Sequence, residues 1–243
     1  MSDMLTTTIG QLVTERPSRA RVFESFGLDY CCGGHQPLKE ACQAKGINPQ
    51  TVLNILNLLD ERNSEPERDW SKATMTELCD HIEQTHHAYL RRELPRIEQL
   101  IAKVVNAHGA KHAHLAPLQQ TFAGLKQELD FHMMKEERVL FPICRALDAN
   151  PDEPPAMHCG TVDNPIRQMI HEHDDAGNAL ATMRQLTSGY TLPPDACNTY
   201  RTLYDALAEL ENDLHRHIHK ENSILFPRAS ATERLCRQAA VGA

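Results

Sequence analysis

"HMMKEERVLFP" occupies His132–Pro142, and "HIHKENSILFP" occupies His217–Pro227. Each reads His, three residues, Glu, then Leu-Phe-Pro at the same offset. Residues four apart share one face of a helix. His132 and Glu136 therefore face one way, and so do His217 and Glu221. The repeat extends backwards. His87 stands 45 residues before His132, and His173 stands 44 before His217. The region reads as two copies of one helical hairpin. Each copy contributes a His from its first helix and a His-x-x-x-Glu from its second.

The rest of the pattern agrees. Apolar residues recur at helical spacing over about 74–107, 117–147, 162–188 and 195–229. Polar, Gly- and Pro-containing stretches separate them: "HGAKHAHLAP", "DANPDEPPAMHCG" and "TSGYTLPPDA". Pro193, Pro194 and Asp195 suit the first turn of the fourth helix. No segment has the β-branched alternation of a strand. The expected fold is all-α, an antiparallel up-down-up-down four-helix bundle. A small helical domain over residues 1–60 precedes it, then a polar linker over 61–72, with the bundle filling 73–243. In the small domain, Pro17 breaks an apolar run and Gly27 stops it. Asn48 and Pro49 mark a helix start as N-cap and first position. Leu140, Phe141, Leu225 and Phe226 are expected in the core, with Pro142 and Pro227 kinking or ending their helices.

Composition narrows the function. The formal net charge is −8, which argues against a nucleic-acid groove. No apolar run reaches the roughly 18 to 20 residues that span a bilayer. The first residues lack a basic start followed by an apolar core, so the expected location is the cytoplasm. Eight cysteines are scattered without an export signal and are expected as reduced thiols. Fourteen histidines are the compositional outlier.

Packed antiparallel, the two copies bring His87, His132, Glu136, His173, His217 and Glu221 to the bundle axis. Six N and O donors are a metal site of the kind such bundles build from facing helices. A single His-x-x-x-Glu is most often a surface ion pair. Two at equal offsets, each preceded by a His at nearly equal distance, are not explained that way. Two carboxylates that can each bridge suit two metals better than one. N and O donors without cysteine favour iron, and leave manganese and zinc open by residue type.

Other residues carry weaker signals. His86 adjoins His87, and on a helix the two cannot both face the axis equally well; the interval favours His87, and so does the family resemblance given below. His171, His215 and His219 are expected at the surface or behind the ligands, and His108, His112 and His114 in a solvated loop. Glu128, one turn before His132, and Glu172, beside His173, are candidates to stand behind the ligands, against the alternative of ordinary helix surface. Cys31 and Cys32 are adjacent, within "DYCCGG". A structural disulfide between neighbours is strained. The pair either binds or transfers metal, exchanges thiol for disulfide, or simply packs a tight turn.

"DYCCGG", "HMMKEE…LFP", "EHDDAG" and "HIHKEN…LFP", in this order, resemble the repair-of-iron-centres family, whose members are hemerythrin-like di-iron proteins with a small cysteine-containing N-terminal domain. The resemblance covers nearly the whole chain. It implies two iron ions, joined by an oxo or hydroxo bridge, on His87, His132, Glu136, His173, His217 and Glu221, with Glu136 and Glu221 as bridging carboxylates. It implies repair of iron–sulfur clusters damaged by nitrosative or oxidative stress, with the centre as iron donor. Damaged iron–sulfur proteins or cluster scaffolds would be the partners, and the working unit a homodimer. An alternative is a protein that binds or reduces nitric oxide at the same centre. An O2 sensor or carrier fits less well, because hemerythrin oxygen carriers pair one His-x-x-x-Glu with a His-x-x-x-His and an Asp. Two carboxylates place less negative charge on the metals than a four-carboxylate ferritin-like site, so iron is expected to leave more readily. These readings point to a delivery factor and assign no catalytic residue.

Overall fold

The computed structural model describes residues 4–62, 68–150 and 160–242. The part of the expected linker at 63–67, and Cys159, lie outside them. Among the described residues there is no strand, only an isolated bridge between Thr8 and Pro37. The contacts divide the chain into two compact units. The described parts of 1–78, 147–154 and 215–243 form one, and those of 79–146 and 155–214 form the other.

In the first unit, α1 (Ile9–Glu15) starts at Thr8, whose hydroxyl accepts from the Gln11 N–H. Pro17 opens a 3-10 turn over Pro17–Arg19 that leads into α2 (Ala20–Ser25). Gly27 ends that helix at φ +64°, and the Leu28 N–H returns to the Phe23 carbonyl at 2.9 Å. After α3 (Leu38–Ala44), Asn48 caps α4 (Pro49–Arg62) by accepting from the Gln50 N–H at 2.9 Å. Phe23, Leu38, Cys42, Val52 and Leu56 form the centre of a small core. Arg19 is buried against it and neutralised by Asp60 at 2.6 Å, which ties the 3-10 turn to α4.

The "CCGG" turn is built around one carboxylate. Asp29 accepts from the backbone N–H groups of Cys31, Cys32 and Gly33, each at 3.0 Å. The chain then passes so close to α1 that Gly10 N–H meets the Gly34 carbonyl at 2.9 Å. A Cβ on Gly34 would collide with the Tyr30 carbonyl oxygen, and one on Gly10 would lie 2.9 Å from the Gly34 carbonyl oxygen.

The four-helix bundle is antiparallel, and the described parts of 79–146 and 155–214 within it make up the second unit. The bundle's first run joins α5 (Met75–His81), a π turn over Ile82–His87 and α6 (Ala88–His108). A capping box starts it: Thr74 N–H bonds Glu77 and Glu77 N–H bonds the Thr74 hydroxyl. The second run joins α7 (Leu115–Lys135), a π turn over Glu136–Leu140 and α8 (Phe141–Ala149). The third is α9 (Asp163–Leu186), and the fourth begins with α10 (Asn198–Lys220). Ile97, Leu118, Phe122, Leu180, Leu203 and Leu207 bring all four into one core. The connection between α6 and α7 is too short for anything but an antiparallel neighbour. No helix among the described residues is long and apolar enough to cross a membrane.

Three details depart from expectation. Neither Pro142 nor Pro227 ends its helix. The second run continues to Ala149, and the fourth continues through a π turn over Glu221–Leu225 into α11 (Phe226–Gly242). In each, the Phe before the proline bonds a carbonyl five residues back, Phe141 to Glu136 and Phe226 to Glu221. The widened turn makes room for a residue without an N–H. Pro193–Asp195 lie in a turn ahead of α10, not in its first turn. The Leu-Phe pairs are buried as expected.

The close passage at the "CCGG" turn has a measurable consequence. Gly34→Ala is expected to cost roughly 1–3 kcal/mol, as overpacking does. Its urea midpoint should fall while far-UV circular dichroism stays helical. An unchanged midpoint would show that the turn relaxes freely.

Candidate metal centre

Glu136 begins the second π turn, and its side chain is fully buried. Neither carboxylate oxygen accepts a hydrogen bond among the described residues. Its nearest polar neighbours are imidazole nitrogens: His87 Nε2 at 3.3 Å and His132 Nε2 at 3.4 Å. His173 Nε2 stands 3.2 Å from His132 Nε2. On the fourth run, His217 Nε2 lies 3.1 Å from Glu221 Oε1, and both residues are buried.

The six sequence-selected residues fall into two overlapping groups. One is His87, Glu136, His217 and Glu221; the other is His132, Glu136, His173 and Glu221. Within each, one donor atom per residue lies within 4.8 Å of the others. Both groups contain both carboxylates, and each takes one His from each sequence copy. An anionic carboxylate buried among imidazoles without hydrogen bonds is costly unless a cation sits there. The donor set therefore fits metal. Imidazole nitrogen and carboxylate oxygen suit iron, manganese or zinc.

The outer nitrogens show how the rings are held. His87 Nδ1 is 2.7 Å from Glu137 Oε1, and His132 Nδ1 is 2.9 Å from Glu172 Oε2. Each Nδ1–H donates to a carboxylate, which turns Nε2 inward as an acceptor, the usual arrangement behind a metal-bound imidazole. Glu137 is in turn held by Arg91 at 2.6 Å, and Glu172 by Lys135 and by Gln168 at 2.8 Å. Burial works against the Glu172 carboxylate, but His132, Lys135 and Gln168 outweigh it and pull its pKa down to about 2. Burial also opposes Glu137, and Arg91 and His87 hold it below the usual carboxylate range.

Glu172 thus stands behind a candidate ligand, His132, and is not ordinary helix surface. Glu128 does not stand behind one. It is exposed and points to solvent. The buried stripe of α7 runs through Leu125, Leu129, His132 and Met133. At about 100° per residue, Glu128 falls roughly 40° beyond His132, outside the edge of that stripe. Sequence reasoning missed Glu137. The signal was the doubled acid "KEE", where the second copy has "KEN".

His86 is buried but turns away to Asp213, with Nδ1 3.0 Å from its Oδ1. His171 is exposed beside Asp175. His219 is buried and not at the surface: its ring packs edge-on against Tyr30 at 5.6 Å, and burial lowers its pKa to about 4. His112 and His114 are not solvated loop residues either. Both hydrogen-bond the Tyr200 hydroxyl, at 3.1 and 3.0 Å. Cys31 is buried, and its thiol donates to Asp29 at 3.1 Å. The Cys32 sulfur, burial and the Asp29 carboxylate push its pKa well above the ordinary range. That direction disfavours the activated thiolate on which disulfide exchange depends. With Asp29 and Cys32, Cys31 forms a third group of donor atoms within 4.8 Å.

Removing a carboxylate behind a ligand should weaken metal binding roughly 10–100-fold. Glu137→Gln is expected to do so in competition with a chromophoric chelator, while Glu128→Gln binds as the parent does. Equal affinities for the two variants would remove Glu137 from the centre.

Residues 78–229 match the hemerythrin HHE cation binding domain, and residues 5–60 match a domain of unknown function, DUF542. The iron-sulfur cluster repair protein YtfE of Edwardsiella ictaluri (strain 93-146) is 38% identical over 91% of this chain and 95% of that protein. Those of Citrobacter koseri and Escherichia coli O157:H7 are each 36% identical over 93% of this chain and 97% of their own. The chain belongs to the family of these iron-sulfur cluster repair proteins, and its own DUF542 match precedes its hemerythrin HHE match.

Proposed function

We propose that this chain repairs damaged iron–sulfur clusters, and that it does so as an iron donor holding two iron ions on His87, His132, Glu136, His173, His217 and Glu221. The observation that carries the reading is the pair of overlapping donor groups that share Glu136 and Glu221. One ion in each group leaves both carboxylates common to the two, the arrangement expected of bridging ligands. The relatives' name, iron-sulfur cluster repair protein, supplies the role.

Bound iron would supply exchangeable metal at a site whose protein ligands carry only two negative charges. The chain's own residues do the rest. Glu137 and Glu172 keep the imidazoles of His87 and His132 turned inward and in the tautomer that offers Nε2. Leu140, Phe141 and Leu225 are buried on the same runs and keep the surroundings apolar. Two ligand carboxylates bind Fe(III) less firmly than four, which suits release to an acceptor. Damaged iron–sulfur proteins or cluster scaffolds are the acceptors this reading requires.

The test begins with iron per chain in protein purified without added metal. About two irons are expected, falling to one or none in His132→Ala. The loaded protein is then prepared with an iron isotope and mixed with an apo-cluster acceptor. Label should move into the acceptor as its cluster spectrum returns. Iron that stays in place while nitric oxide is consumed would replace donation with nitric oxide chemistry. One metal per chain, or none, would remove the di-iron centre itself.

A further inference from the structure

A second cluster of reactive side chains lies at the far end of α6 from His87. His108 closes that helix, about 30 Å along its axis from His87. Its Nε2 is 3.3 Å from Cys197 Sγ. Cys197 is exposed and stands just before α10, where its carbonyl accepts the Arg201 N–H at 3.1 Å. The N–H groups of Tyr200 and Thr199, which the first turn of a helix leaves without carbonyl partners, donate to the sulfur. Rings hold the imidazole in place. His108 stacks on His112 with centroids 5.7 Å apart and tilts against Tyr200 at 5.2 Å. His112 is fixed in turn by Asp195 at 3.1 Å and by the Tyr200 hydroxyl at 3.1 Å. A thiol, a base within hydrogen-bond reach and groups that orient the base make up an activated nucleophile. The Tyr200 N–H first, and His108 next, pull the Cys197 pKa down to about 7. The other described cysteines are placed differently: Cys31, Cys42, Cys79, Cys144 and Cys236 are buried and Cys32 is half-buried.

We propose that Cys197 is a site of reversible thiol modification, exchanging with low-molecular-weight disulfides of the glutathione class, with His108 as its base. The Cys197 thiol passes its proton to His108 Nε2 and attacks one sulfur of the small disulfide. A new S–S bond forms on Cys197 as the old one breaks, and the departing thiolate takes the proton from His108. One protein thiol and one disulfide give one mixed disulfide and one small thiol, with no net oxidation. Excess small thiol runs the step backwards. An attacking thiol works best when its pKa lies near the ambient pH, and exposure gives the disulfide access. The site depends on neither the bound metal nor the repair role.

The metal-loaded full chain is incubated with glutathione disulfide across a pH series. The label is located by peptide mass spectrometry, and iron per chain is counted in parallel. One glutathione per chain is expected, on Cys197, with iron unchanged. Because the thiolate is the nucleophile, the rate should rise with pH through a midpoint near 7. His108→Phe keeps a ring against His112 and Tyr200 and removes the nitrogen, so its midpoint should move up toward about 8.5, the ordinary thiol value. A midpoint near that ordinary value in the parent would overturn the proposal, whether or not the variant folds. So would equal midpoints in parent and variant, or a first label on any other cysteine. Iron lost equally from the parent and from Cys197→Ser during labelling would also overturn it, by placing the reaction at the metal centre.

Discussion

Two glutamate carboxylates, Glu136 and Glu221, are completely shielded from water. Everything else about the centre answers that constraint. A buried carboxylate stays ionised only if positive charge or several donors surround it. Around Glu136 the neighbouring groups are imidazole nitrogens that meet neither oxygen in hydrogen-bond geometry. Were the histidines protonated, four buried imidazolium ions would replace one electrostatic problem with another. A bound metal ion would resolve both, neutralising the carboxylates and accepting the inward lone pairs of the rings.

The near-symmetry of the two copies makes this possible, and its breaking adds the rest. Each copy has a His, a His-x-x-x-Glu and Leu-Phe-Pro. The residue after the glutamate differs. In the first copy it is Glu137, which anchors His87. In the second it is Asn222, whose amide reaches the Cys31 carbonyl at 3.5 Å. One equivalent position thus orients a ligand ring, and the other touches the turn that carries the two cysteines. Internal duplication leaves the metal donors constrained in both copies and the neighbouring position open to different uses.

Much of this could be read from the chain. The six donors, the four helical runs, the Asn48 cap and the Gly27 stop follow from spacing and from the few residues that tolerate those conformations. What could not be read shares a cause. Glu137 and Glu128 look alike in sequence, and only the phase of the buried stripe separates them. The same phase puts His219 against Tyr30 and leaves His171 in water. His112 and His114 find the Tyr200 hydroxyl 86–88 residues away in sequence. Local pattern predicts faces well, but it predicts distant hydrogen-bond partners poorly, because those depend on packing between elements.

The π turns were the least legible feature, and proline does not account for them. Phe141 and Phe226 each bond five residues back, just before a proline, so the widened turn can be taken as the helix's way of absorbing a residue without an N–H. The turn over Ile82–His87 argues otherwise. There Ala88 N–H also reaches back five residues, to Glu83, yet the next proline is Pro95, well inside α6. All three π turns instead start or end on a candidate ligand: His87, Glu136 and Glu221. A π turn has poorer hydrogen-bond geometry than an α turn and persists where something repays its cost. It also inserts one residue, which re-aims the side chains that follow by about 100°. The repayment common to all three is the placement of a donor atom at the centre. The prolines that follow two of them are tolerated because the turn is already wide.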